Sequence, residues 1–160
     1  MANPAEAPID KELLQTACQN YYHNLNLQPE TQVLIITDKL PKRNPQLRKE
    51  LINDLDPNII IRRKLASLLE YKIRAGGNEV ASVDFDGKTT EEEFQSETKR
   101  AIEELGDNPT TIVYLGESWS NRDGTNQAVN SLRHSRSVLV TGFLGLTTED
   151  LHIPLMTNFY

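Results

Sequence analysis

The sequence predicts an α/β protein, a three-layer α/β/α sandwich of Rossmann-like or flavodoxin-like kind with about four parallel strands. Three observations lead there. Short β-branched runs alternate along the chain with longer segments of helical apolar period. The runs lack polar alternation, as strands covered on both faces do. Successive runs are far enough apart for right-handed strand–helix–strand crossovers. Period alone leaves the strand order open.

Each element has its own signal. Leu14, Ala17, Cys18, Tyr21 and Leu25 recur at helical spacing behind Asp10, an N-cap residue, which predicts a helix over 11–25. Gln28-Pro29-Glu30 breaks it, and 33–37 (Val-Leu-Ile-Ile-Thr) reads as the first strand. Asp38 then opens a proline-punctuated stretch. Within it, Asn44-Pro45 is a helix-start pair followed by Leu47, Leu51 and Leu55, four apart. Asp56-Pro57 repeats the start signal for a longer helix carrying Ile61, Leu65, Leu68, Leu69 and Ile73 on one face. Gly76-Gly77 ends that helix, and a second strand is expected over 79–83. Asp84-Phe85-Asp86-Gly87 reads as a turn, after which Thr90 caps a helix with Phe94, Ala101, Ile102 and Leu105. Gly106-Asp107-Asn108-Pro109 closes it before a third strand over 111–115. Ser120 and Asp123 form a capping-box pattern ahead of a short helix with Ala128, Val129 and Leu132. A fourth strand spans 137–141, and Thr147-Thr148-Glu149-Asp150 resembles one more helix start, interrupted by Pro154. The expected organisation is a polar tail over 1–9, a single α/β domain over 10–151 and an apolar tail over 152–160.

Composition excludes several classes. The 160 residues suit one domain with a real core, and the single cysteine, Cys18, excludes an internal disulfide scaffold. No run approaches the ~20 apolar residues of a membrane helix, and the polar opening residues give no leader pattern, so a cytoplasmic address without membrane attachment is expected. The formal charge of −6 disfavours nonspecific nucleic-acid binding. That charge is uneven. Residues 39–64 hold eight basic residues (Lys39, Lys42, Arg43, Arg48, Lys49, Arg62, Arg63, Lys64) against three acidic, whereas 84–107 hold nine acidic against three basic. The basic stretch either docks an acidic partner or nucleic acid, or solvates the outer faces of helices, the reading favoured in the absence of interleaved aromatics.

In doubly wound sheets ligands bind outside the carboxyl ends of the strands. The residues expected there are Asp38, Asp84, Asp86, Glu117, Ser118, Ser120 and Gly142. Converging carboxylates suit a divalent cation or a basic ligand group, and the same positions also satisfy turn and cap rules. No cofactor is expected, a divalent cation being the sole alternative. Neither G-x-G-x-x-G nor G-x-x-x-x-G-K-[ST] follows the first strand, which excludes an ordinary dinucleotide or ATP site. No G-x-S-x-G elbow and no H-E-x-x-H are present. His134 suits a helix C-terminus, and Cys18, on an apolar helix face, reads as a small buried hydrophobe. Trp119 is an interface anchor or a cover for the sheet end, and Phe159 and Tyr160 are interface candidates in the apolar tail.

Two resemblances extend this reading. Val83-Asp84-Phe85-Asp86-Gly87 resembles the first motif of haloacid-dehalogenase-type phosphatases, which would make Asp84 the nucleophile and Asp86 the general acid. Lys88 replaces that motif's threonine, and the later paired acidic motif is missing. Over residues 10–151 the segments Gln32-Val-Leu-Ile-Ile-Thr-Asp38, Ala75-Gly-Gly-Asn-Glu-Val80, Ser118-Trp-Ser-Asn, Arg136-Ser-Val-Leu-Val-Thr-Gly142 and Leu146-Thr-Thr-Glu-Asp-Leu151 together resemble the N-terminal α/β domain of the aminopeptidase T family and its leucyl-aminopeptidase-like relatives. That family binds its two metal ions in a following domain, so no metal ligand carries over. The resemblance implies a non-catalytic α/β domain, an isolated or truncated piece of a larger enzyme, serving protein interaction, homo-oligomer contact or small-ligand binding. The alternative is a metal-dependent hydrolase: a peptidase working only with a missing domain, or a Mg²⁺-dependent phosphatase using Asp84 and Asp86.

Overall fold

The computed structural model describes residues 11–39, 57–85, 89–116 and 138–142. In chain order these form α1 (Lys11–Leu25), β1 (Gln32–Asp38), α2 (Pro57–Ala75), β2 (Val80–Phe85), α3 (Glu91–Leu105), β3 (Thr110–Leu115) and β4 (Val138–Gly142). The expected helix starts at Asn44 and Thr147 and the short helix near Ala128 lie outside the described residues, as do both tails.

The four strands are all parallel and lie in the order β2-β1-β3-β4. This order settles what period could not. It matches the first four strands of the flavodoxin-like arrangement and not the Rossmann one. From β1 the chain crosses to one side to make β2, then returns past β1 to make β3. Right-handed crossovers in opposite directions must use opposite faces of the sheet. Accordingly α1 and α2 cover one face, where Val33, Ile35, Val113 and Leu115 pack against Leu14, Tyr21, Ile61, Leu65, Leu69 and Ile73. α3 covers the other, where Leu34, Ile36, Ile112 and Tyr114 meet Phe94, Ala101 and Ile102. Successive residues of β1 thus point to opposite cores, which explains an apolar run without alternation: every residue of β1 and of β3 is buried.

Local chemistry fixes the ends of the elements. Thr90 and Glu93 make the reciprocal bonds of a capping box at the start of α3, and Glu91, Glu92 and Glu93 place negative charge on that helix's positive end. At the opposite end Gly106 takes φ +133°, open to glycine alone. The buried Gln32 side chain donates through Nε2 to the Gly106 carbonyl at 3.0 Å and to Thr110 Oγ1 at 2.9 Å, tying the end of α3 to the start of β1. Asn78 Nδ2 similarly bridges the carbonyls of Gln28 and Thr31, each at 2.8 Å, locking the entry of β2 to that of β1. Among the described residues no helix is long and apolar enough to cross a membrane.

Candidate functional site

The carboxyl ends of β1, β2 and β3 form the edge where a doubly wound sheet presents ligands. The strands reach further than their apolar runs suggest. Asp38 is the last residue of β1 and Asp84 lies inside β2, so neither sits in a turn. Thr37 is registered with Asp84 and Asp38 with Phe85, and the Lys39 N–H donates to the Phe85 carbonyl at 2.7 Å, extending the ladder. On the other side Thr37 Oγ1 donates to the Leu115 carbonyl at 3.0 Å, clasping β1 to β3 where the strand order reverses.

The two aspartates do not face open solvent as a pair of free carboxylates. Arg62 Nε donates to Asp38 Oδ2 at 2.5 Å, with Arg62 only 1% and Asp38 only 3% exposed. Its neighbour Arg63 donates through Nη1 to the Asp38 backbone carbonyl at 2.5 Å and to Asp84 Oδ2 at 3.3 Å. Consecutive arginines on the first turns of α2 therefore take up both strand ends. One pair is buried and the other is half-exposed. A cleft of about 250 Å³ opens beside the second pair, lined by Thr37, Arg63, Ser67, Glu70, Ser82 and Asp84 among others. Two of its lining residues are joined where Ser82 Oγ donates to Glu70 Oε1 at 3.1 Å, and the exposed Arg74 Nη2 reaches the same oxygen at 3.4 Å.

One expectation is corrected: Asp38 is not a turn residue, because β1 continues through it and its buried carboxylate is bonded to Arg62 beneath α2. Of the basic stretch over 39–64, Lys42, Arg43, Arg48 and Lys49 lie outside the described residues. Arg62 is buried and Arg63 is engaged at the sheet edge, while Lys39 and Lys64 are its exposed members among the described residues. Asp86, Glu117, Ser118, Trp119, Ser120, Phe159 and Tyr160 lie outside the described residues, as does His134.

Sequence reasoning missed the roles of Arg62 and Arg63. A signal for Arg62 was present: it stands four, seven and eleven residues before Ala66, Leu69 and Ile73, all buried, so it occupies the inward stripe of α2. A charged residue on such a stripe needs a buried counter-ion, and Asp38 is the acid at the end of the central strand.

No group of three or more His, Cys, Asp or Glu side chains converges among the described residues. The carboxylate that the phosphatase-like motif would make a nucleophile, Asp84, instead accepts from a guanidinium. Cys18, the expected buried hydrophobe, is 4% exposed, and burial pushes its thiol up to about 11, only partly opposed by the Lys72 charge. It is held as a neutral thiol, far from the condition of a nucleophile at neutral pH. Comparison of the chain with family models, curated proteins and solved structures finds no match to any of them.

Proposed function

We propose that this chain is a non-catalytic α/β domain that acts by binding, with its strand-end carboxylates committed to arginines and not to a metal ion. The observation that carries this reading is the pair of adjacent ion pairs, Asp38 with Arg62 and Asp84 with Arg63. A carboxylate held by a guanidinium has its negative charge compensated, so it attracts a cation weakly and attacks an electrophile poorly. A domain of this kind is what the resemblance to the N-terminal domain of aminopeptidase T-like metallopeptidases implies. Two segments bearing that resemblance, residues 32–38 and 75–80, make up β1 and the turn into β2. Protein interaction or a small polar ligand at the α2–β2 cleft is the corresponding role.

Activity assays test the reading. The full chain, supplied in turn with Mg²⁺, Mn²⁺ and Zn²⁺, is expected to hydrolyse neither p-nitrophenyl phosphate nor aminoacyl p-nitroanilides above the buffer rate. Phosphate release that Asp84→Asn abolishes would establish the hydrolase alternative instead.

A further inference from the structure

β2 is a terminal strand of the sheet, and one of its edges carries no strand among the described residues. The hydrogen bonds show which peptide groups that edge presents. Glu79 and Phe85 give their carbonyls to Val33 N and Lys39 N of the β1 side. Peptide groups along a strand point alternately to its two neighbours, so those of Val80, Ser82 and Asp84 point away from β1. Arg74 Nη2 approaches the Val80 carbonyl at 3.5 Å from this outer side. Clefts flank the edge on both faces. The α2 side has the 250 Å³ cleft, and the α3 side has one of about 610 Å³ whose lining includes Ala81, Val83, Ala101 and Leu105. Both clefts are lined by Ser82, Val83 and Asp84, so space on each face meets at the same three residues of the edge.

We propose that the outer edge of β2 is a homodimer interface, in which a second copy of this chain adds its own β2 antiparallel across a two-fold axis at Ser82. The proposal goes beyond the binding role above, since it names the partner and rests on the strand edge alone. A second copy is favoured because the edge is complementary to itself. An isologous contact sets each residue against its mirror position, so Ser82 faces the partner's Ser82 and Val80 faces the partner's Asp84. The outward peptide groups of these residues then exchange N–H···O bonds as hydrogen-bonded pairs. Arg74, 64% exposed and already at Val80, meets the Asp84 carboxylate of the other copy, whose Oδ2 alone is engaged by Arg63. The two-fold axis makes this charge contact twice. On the α3 face Ala81 comes beside the partner's Val83, and these half-exposed apolar side chains extend the core cluster that they already border.

Light scattering after size exclusion, together with engineered cysteines, tests this. The full chain is expected to run as a dimer that dissociates on dilution. Ser82→Pro removes the outward N–H and the exposed hydroxyl bond to Glu70, leaves the β1 ladder intact and is expected to give a folded monomer, with Ser82→Ala as the control that keeps the N–H and remains a dimer. Arg74→Glu, which sets two carboxylates against each other, is expected to weaken dimerisation at least tenfold and more so at low salt. In a Cys18→Ala background, Ser82→Cys is expected to form an intermolecular disulfide on mild oxidation. Cα atoms of a hydrogen-bonded antiparallel pair lie ~5.5 Å apart, within disulfide reach. Ala81→Cys, placed opposite Val83, is expected not to cross-link. A monomer at all concentrations, a dimer unaffected by Ser82→Pro, or a monomer that captures only heterologous extended peptides at this edge would overturn the proposal.

Discussion

Asp38 and Arg62 are the deepest charges described in the molecule, and removing one of them is the sharpest perturbation available. Asp38→Ala leaves the Arg62 guanidinium at a position only 1% exposed, with its carboxylate partner gone. Breaking a buried pair from one side costs about 3–5 kcal/mol, because the remaining buried charge loses a counter-ion without gaining solvent. Domains of this size have ~5–15 kcal/mol in total, so the variant should stand near the edge of stability. At roughly 2–4 °C per kcal/mol, the melting temperature should fall by about 6–20 °C. Removing both charges together is different: Asp38→Leu with Arg62→Met replaces the pair by apolar groups in an apolar layer and should recover most of the loss. Urea unfolding followed by circular dichroism measures the four species of the cycle: the parent, Asp38→Leu, Arg62→Met and the double variant. A single variant losing under 1 kcal/mol, or a double variant losing the sum of its singles, would refute the reasoning that the pair is a buried, mutually dependent unit.

Further outcomes follow from other residues. Gly106→Ala should destabilise by about 1–3 kcal/mol in the same urea assay, since φ is +133° and the new Cβ would lie 3.2 Å from Gln32 Oε1. Thr90→Ala should cost about 1 kcal/mol and Glu93→Ala somewhat less, both read from melting curves, because each removes half of the capping box of α3. Cys18 links stability to alkaline pH. Its thiol ionises near 9.0 when unfolded but only near 11 in the fold, so its contribution is complete below pH 9 and is lost as pH rises towards 11. Stability measured from pH 8 to 11 should fall less steeply for Cys18→Ala than for the parent chain. At pH 8 the folded parent should react with a thiol reagent far more slowly than the urea-unfolded chain.

The layer architecture was legible in the sequence because its signals are local. Val33 to Ile36 are apolar without alternation, and that pattern has one economical explanation, a strand with helices on both faces. The inward stripes of α1 and α3 were equally plain in Leu14, Ala17 and Tyr21 and in Phe94, Ala101 and Ile102. Strand ends were less so. Asp38, Asp84 and Phe85 continue the ladders, yet aspartates three residues before a proline or a glycine carry turn propensity, and tertiary pairing overrode it. The strand order was invisible, since whether β2 and β3 fall on the same or opposite sides of β1 depends on which face each crossover takes, and a helix's period does not encode that. The candidate site was half legible. Asp38 and Asp84 were placed at the correct edge of the sheet, but their partners were hidden: Arg62 and Arg63 lie more than 20 residues from Asp38 in the chain, and Arg62 was counted with the surface charges.

That correction also bears on charge as a guide to function. The net charge of −6 averages a basic and an acidic segment, and part of the basic segment neutralises carboxylates inside the fold. On the acidic side, Lys99 and Arg100 reach Glu103 and Glu104 one turn on, at 4.0 and 3.9 Å, exposed contacts of little energetic consequence.

Calorimetric titration of the full chain with Mg²⁺, Mn²⁺ and Zn²⁺ tests most directly the claim that arginines and not a metal occupy the strand-end carboxylates. No saturable heat is expected, and no change on Asp84→Asn. A one-to-one binding isotherm that Asp84→Asn or Asp38→Asn abolishes, in a chain that remains folded, would contradict it.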